Sequence, residues 1–288
     1  MKPLLFNIFL FFGRKLSLKK GRSFSEFLGK LVWKFSKKNK HITLSNISKC
    51  YPHLNQTEQI RLAKASVNAA LMNMMELGVL WDKKTKIHNY IDKIHGMEIF
   101  SSALDQGNGL ILAAPHMGNW EVLNLLLAEF DQFAFLYKPP SDAKIEKLLV
   151  KNRAKSNALQ IEANLKGVRK IMHHLKDKGF IAILPDQRPK GGQGVFAPFY
   201  GIPTYTMSLF SKLSIKTKAP VFFAYALRTE KGFEVFFEKS DDDIYQELNS
   251  SVAYMNKKIQ HIVDKAPEQY QWTYKRFSIQ PEGEPPFY

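Results

Sequence analysis

Cysteine is almost absent. Cys50 is the only one in 288 residues, so no disulfide can form within the chain, which suits a reducing compartment. Acidic residues are scarce, 26 against 42 Lys and Arg, and the formal net charge is +16 with a pI near 9.7. A field of that sign favours anionic partners: nucleic acid, anionic lipid head groups or an acidic protein. Long hydrophobic runs are also missing. The first apolar run, Pro3 to Phe12, contains Asn7 and as a helix reaches about 15 Å, half of a ~30 Å hydrocarbon core. Arg14-Lys15 follows it, and no small-residue cleavage site does, so neither a spanning segment nor a cleaved signal peptide is expected. There is no internal repeat or low-complexity tract. No second His or Cys stands at ligand spacing near His116, and His173-His174 are adjacent rather than i, i+4, so no metal is expected. The glycine-rich stretch Gly191-Gly192-Gln193-Gly194 lacks the Lys-Ser/Thr ending of a nucleotide-binding loop.

What is present is concentrated at two places. Residues 1–40 carry eleven lysines and arginines against Glu26 alone. From Ser23, a plausible N-cap, Phe24, Phe27, Leu28, Leu31, Val32 and Phe35 recur at helical spacing, with Lys30, Lys34, Lys37 and Lys38 off that stripe. Two readings fit this periodicity: a core helix with a solvated lysine face, or a helix lying in the plane of a membrane. The Phe-rich run before it and the local excess of positive charge favour the second. Residues 1–45 are therefore expected to form a basic amphipathic arm on a membrane surface, and residues 46–288 a catalytic domain.

Residues 41–56 read as a separator containing Tyr51-Pro52, and a long helix runs from Thr57-Glu58 to about Trp81. Residues 82–95 read as connective. Beyond them, strand-like runs (Leu110–Ala114, Phe133–Tyr137, Phe180–Leu184, Val221–Leu227, Phe233–Phe237) alternate with helix-like ones (Glu98–Asp105, Asn119–Phe130, Ala143–Asn157, Gly167–Lys178, Met207–Lys216, Ile244–Asp264). This alternation predicts an α/β fold: a central, mostly parallel sheet flanked by helices, preceded by the N-terminal amphipathic arm. Sites in such sheets lie at the carboxyl ends of strands.

The second place is that end of the first long strand. Leu110–Ala114 delivers Pro115-His116-Met117-Gly118-Asn119-Trp120-Glu121. A histidine leaves a buried strand, and a glutamate follows at the start of a helix, where a carboxylate is stabilised by unpaired N–H groups. The expectation is a His116–Glu121 dyad: Glu121 holds one imidazole nitrogen and the other takes a proton from a hydroxyl. Gly118 permits a sharp turn and close approach of a ligand. Asp186-Gln187, after the Phe180–Leu184 strand, is expected at the same sheet edge. Lys138 and Arg153 are candidates for phosphate binding. The bland readings are a packing histidine, a turn and a solvated charged face.

Taken together, the blocks resemble the bacterial lipid A biosynthesis acyltransferases, over about Asn46 to Phe277. They are Cys50-Tyr51-Pro52; the His-x4-acid motif from His116 to Glu121; Tyr137-Lys138-Pro139; Asp186-Gln187 with Pro198-Phe199-Tyr200-Gly201 and Thr206; and Pro267 to Phe277 with its Trp272 and Arg276. Lys138 stands where arginine is common in that family, and Asn157 where glycine is frequent.

The resemblance implies a glycerolipid-acyltransferase-like fold. It implies transfer of a fatty acyl chain from an acyl carrier protein thioester to a hydroxyl of a phosphorylated glucosamine lipid. His116 is then the general base with Glu121 its orienting acid, and backbone N–H groups around Gly118–Asn119 or a nearby side chain are candidate oxyanion donors. Gly118, Asn119, Lys138, Arg153, Asp186 and Gln187 contact substrate. No cofactor is needed; the partners are acyl carrier protein, an anionic glycolipid and the cytoplasmic face of the inner membrane, and not nucleic acid. The alternatives are a related acyltransferase with another glycolipid or phospholipid acceptor, and a non-enzymatic basic binding protein.

Overall fold

The structure is a computed structural model that describes residues 3–82, 84–140, 142–153, 158–189 and 193–288. Four helices come first: α1 (Pro3–Lys15), α2 (Leu18–Phe35), α3 (Lys37–Cys50) and α4 (Gln56–Leu80). Then follow β1 (Ile91–His95), α5 (Met97–Asp105), β2 (Leu110–Ala113), α6 (Trp120–Leu127), β3 (Phe133–Tyr137), α7 (Ala143–Arg153), β4 (Leu159–Glu162) and α8 (Leu165–Lys176). The chain continues with β5 (Phe180–Ile183), β6 (Gly194–Phe199), β7 (Ile202–Met207), α9 (Leu209–Thr217), β8 (Val221–Arg228), β9 (Phe233–Lys239) and α10 (Leu248–Lys265). The expected end of the seventh helix at Asn157 and the glycines at 191 and 192 lie outside the described residues.

Seven strands form one sheet in the order β1-β9-β8-β2-β5-β3-β4. All neighbours are parallel except β8 and β9. The fold is α/β with a mostly parallel sheet between helices, as the alternation predicted. The central strands Leu110–Ala113 and Phe180–Ile183 are buried at every position, because both faces are covered. Alternate residues feed two cores: Ile111, Ala113, Ile181 and Phe223 enter one, Leu110, Leu112, Phe180 and Phe222 the other. β6 and β7 form a separate antiparallel hairpin packed on α10.

The arm packs differently from its hydrophobic stripe. The face of α2 turned inward is Leu18, Gly21, Arg22, Ser25 and Gly29, a run of small and polar residues. Phe27 is 56% exposed and Phe35 72%, and Leu31, Phe11 and Phe12 are exposed as well. Phe24, Leu28 and Val32 of the same stripe are half-buried, so the stripe is divided between the protein and its surface. α1 and α2 lie against α4. α1 crosses α4 where Gly13 meets Gly78, and a Cβ on Gly13 would stand 2.2 Å from the Met75 carbonyl oxygen. Among the described residues no helix is long and apolar enough to cross a membrane.

Candidate active site

Register brings the first pair together. β2 and β5 are parallel neighbours with Ala113 opposite Ile183, and the ladder continues with Ala114 N–H donating to the Ile183 carbonyl at 2.8 Å. Residues at equal offset past that pair arrive side by side beyond the sheet edge, and these are His116 and Asp186. The Asp186 carboxylate accepts from the His116 backbone N–H at 2.9 Å and lies 2.8 Å from Nδ1. Burial pushes the Asp186 carboxyl up; the imidazole charge, its two hydrogen bonds and the Arg276 guanidinium overcome this and hold it below its ordinary value. Burial and the nearby Asp186 charge push the Tyr270 hydroxyl well above its ordinary value. A carboxylate on Nδ1 fixes the proton there and leaves the Nε2 lone pair facing outward. The Gln187 amide nitrogen lies 3.1 Å from Nε2 and donates onward to Gln271 Oε1 at 2.8 Å. The Trp120 ring packs edge-on against the imidazole, 4.9 Å between centroids.

Glu121 is not on the imidazole, which corrects the expected dyad. Its carboxylate accepts from Trp81 Nε1 at 3.2 Å and from Arg153 Nε at 3.3 Å, and it pairs with an Arg153 terminal nitrogen. It is 3% exposed. The physical reason is that α6 begins only at Trp120, and the five steps from His116 pass through Gly118 at φ +55° rather than one helical turn. Asn119 caps α6, its Oδ1 accepting from Glu121 N–H at 3.1 Å. The chain reversal turns Glu121 towards α4 and α7 while His116 faces the sheet edge.

Gly118 and Asn119 are spent on structure as well. Gly118 N–H donates to the Gln269 carbonyl at 3.0 Å and Asn119 N–H to the Ala226 carbonyl at 2.9 Å. These are the two backbone donors expected to stabilise an oxyanion, and both are committed elsewhere. The Asn119 amide donates to Glu76 at 2.8 Å, so its side chain is engaged at both ends. A Cβ at Gly118 would stand 1.8 Å from the Ala226 oxygen, so here the glycine admits a neighbouring strand rather than a ligand.

A cavity of about 620 Å³ opens beside the imidazole. His116, Gln187, Arg188, Lys138 and Arg153 give it polar groups, and Phe135, Leu149, Val168, Ile183, Met207 and Leu209 an apolar wall. Arg153 also lies against the Phe135 ring, 5.4 Å from its centroid. Lys138 and Arg153 thus share the cavity with His116, although β5 stands between their strand and β2. Trp120, Arg188 and Gln271 stood in the motifs read from the sequence but were given no site role there, and Trp81 was noted only as the end of a helix. Arg188 directly follows Asp186-Gln187, which was the available signal. Among the described residues no group of three or more His, Cys, Asp or Glu side chains is placed to hold a metal ion.

The sequence pattern described as bacterial lipid A biosynthesis acyltransferase matches residues 3–278. The chain belongs to this family. It is 24% identical to the lipid A biosynthesis palmitoleoyltransferase of Escherichia coli (strain K12), with 91% of this chain and 86% of that protein covered. It is 23% identical, with the same coverage, to the lauroyltransferase of the same strain. A lipid A biosynthesis acyltransferase of Haemophilus influenzae is 24% identical, with 99% of this chain and 91% of that protein covered. Membership makes the chain an acyltransferase of lipid A biosynthesis, and the cavity beside His116 is where its fold places an imidazole held by a buried carboxylate.

Proposed function

We propose that this acyltransferase moves a fatty acyl group from an acyl carrier protein thioester to a hydroxyl of a phosphorylated glucosamine lipid, a lipid A precursor. The observation that carries the reading is the orientation of His116: Nδ1 on a buried carboxylate, Nε2 on the cavity. The acceptor hydroxyl replaces the Gln187 amide at Nε2 and attacks the thioester carbonyl as its proton passes to the imidazole. Asp186 stabilises the imidazolium. The tetrahedral intermediate carries an oxyanion, for which Gln187 and Arg153 supply side-chain donors. It collapses with loss of the thiolate, which takes the proton back from His116. Glu121 acts through Arg153, fixing the guanidinium on the cavity wall.

Lys138, Arg153 and Arg188 meet the phosphates, Arg in fork geometry and Lys as a point charge. The apolar wall receives the acyl chain. The exposed Phe11, Phe12, Phe27, Leu31 and Phe35, among the arm's lysines, rest on the anionic cytoplasmic surface of the inner membrane. The same positive surface receives the acidic carrier protein. The test is a panel of acyl carrier and coenzyme A thioesters crossed with lipid A precursors and glycerol phosphates, read by mass spectrometry. An acyl increment on the lipid A precursor with a carrier-protein donor supports the reading. Acylation of the glycerol phosphates alone overturns it.

A further inference from the structure

A buried carboxylate bonded by three side chains lies outside the cavity. Glu76 sits on α4 between Met75 and Leu77, and is 1% exposed. Three groups from three separate elements meet its carboxylate. Arg22 of α2 donates through Nε at 2.7 Å, Arg228 of β8 through Nε at 2.9 Å to both oxygens, and Asn119 through Nδ2 at 2.8 Å. The two guanidiniums continue outward. Arg22 donates to the Thr229 and Gly232 carbonyls at 2.7 and 2.9 Å, and Arg228 to the Gly118 carbonyl at 3.2 Å and to Asn73. A carboxylate buried to this degree is costly unless its oxygens are filled. Here, two of its three donors also hold the turn between His116 and Glu121.

We propose that Glu76 is a positioning residue of the active site. By fixing the Asn119 amide it sets the cap of α6 and so the placement of Glu121 and Arg153 on the cavity wall, with Arg22 and Arg228 as its counter-charges. Each link is a hydrogen bond. Glu76 accepts from Asn119 Nδ2; the same amide's Oδ1 accepts from Glu121 N–H; the Glu121 side chain holds Arg153. Arg228 pins the Gly118 carbonyl of the same turn. Because an amide has one donor end and one acceptor end, the donor end on Glu76 dictates which end faces the helix. The helical arm enters the scaffold through Arg22, so its role is not confined to a surface. This proposal rests on the proposed function only for the choice of activity assay.

The test combines hydrogen–deuterium exchange with steady-state kinetics on the full chain. Glu76→Gln is expected to speed exchange across residues 117–126 while leaving residues 248–265 of α10 unchanged. It is expected to lower kcat per folded molecule by roughly 10–100-fold, the scale of a displacement of about 1 Å at a reacting site. Asn119→Asp places two carboxylates together and is expected to do at least as much harm. The double variant Glu76→Gln with Asn119→Asp restores one carboxylate facing one amide, with the partners exchanged, and is expected to return both readouts towards the unmodified enzyme. Asn119→Ser keeps a capping oxygen and leaves both ion pairs intact, so it reads the same link if Glu76→Gln fails to fold; accelerated exchange over 117–126 is again expected. Unchanged exchange in that segment, or a double variant no better than its worse parent, overturns the proposal. If the unmodified enzyme fails to acylate any lipid A precursor, the functional reading falls while exchange still decides the role of Glu76.

Discussion

Asp186→Asn is the substitution that separates the geometry found here from the dyad that chain order suggests. Asp186 offers two acceptor oxygens to one residue: one takes the His116 backbone N–H at 2.9 Å, the other faces Nδ1 at 2.8 Å. An asparagine has only one oxygen. If it keeps the backbone N–H, its NH2 faces Nδ1 and drives the imidazole proton to Nε2, the nitrogen that must accept. If it keeps Nδ1–H, its NH2 opposes the backbone N–H, and a buried donor is left unpaired at about 1–3 kcal/mol. The first arrangement leaves the wrong tautomer, and loss of an orienting carboxylate in this way costs ~10⁴-fold in rate, about 5.5 kcal/mol of transition-state stabilisation. Glu121→Gln touches no imidazole nitrogen. Its loss is a displaced Arg153, roughly 100-fold for a displacement of about 1 Å. The assay is acyl transfer to a lipid A precursor, followed by mass spectrometry and normalised to folded protein. The reasoning is refuted if Asp186→Asn retains activity within tenfold while Glu121→Gln abolishes it.

Other consequences follow from the same contacts. Because Asp186 is held below its ordinary carboxyl value of 3.8, its contribution to stability is complete above that value and is lost as the pH falls through the lower folded one. Denaturant midpoints of the unmodified protein and Asp186→Asn are therefore expected to differ at neutral pH and to converge in acid. Lys138→Ala and Arg188→Ala are expected to raise the acceptor KM more than the donor KM, by about 1.5–3 kcal/mol for each charged hydrogen bond removed; equal effects on both substrates would remove phosphate binding from their roles. Replacing Phe11, Phe27 and Phe35 together with serine is expected to weaken sedimentation with anionic vesicles at unchanged melting temperature, and high salt to weaken that of the intact protein. Sedimentation unaffected by both treatments would count against the arm as the contact. Cys50 is buried, and burial together with the Asp264 charge pushes its thiol up. It is expected to react with iodoacetamide only on unfolding, with Cys50→Ser retaining transfer, and rapid labelling of the native protein would contradict its placement.

The sheet was legible in its centre and not at its edges. β2, β3, β5 and β8 announce themselves as apolar runs because strands covered on both faces must be apolar throughout, and β9, Phe233–Lys239, as an alternation of buried and half-buried residues. β1, Ile91-Asp-Lys-Ile-His95, and β4, Leu159-Gln-Ile-Glu162, are the two edge strands, and their half-polar pattern reads as connection. Pro198 and Pro203 hid the β6–β7 hairpin, where they stand opposite each other and where proline ordinarily argues against a strand. α3 was hidden by Tyr51-Pro52, which ends that helix rather than marking a long turn.

The site was legible as a set of residues and not as a set of pairings. His116, Asp186 and Gln187 were placed at one sheet edge from the strands that precede them, and Lys138 and Arg153 were named as phosphate candidates; they share the cavity although β3 is not the neighbour of β2. Which carboxylate meets the imidazole depends on strand order, and β5 lies between β2 and β3 although β3 follows β2 in the chain. Proximity in sequence therefore favoured Glu121, whereas register favours Asp186. Glu76 could have been suspected as an acid within an apolar run, since such a group survives burial only with partners; Arg22 and Arg228, distant in sequence, could not.

The central claim is that an acyl chain reaches a glucosamine lipid hydroxyl through the imidazole of His116. It is tested most directly by the mass of a lipid A precursor incubated with an acyl carrier protein thioester and either the unmodified protein or His116→Ala. The account predicts one acyl increment with the unmodified protein, and none with a variant that remains folded by circular dichroism. The same increment at a comparable rate from His116→Ala would contradict it.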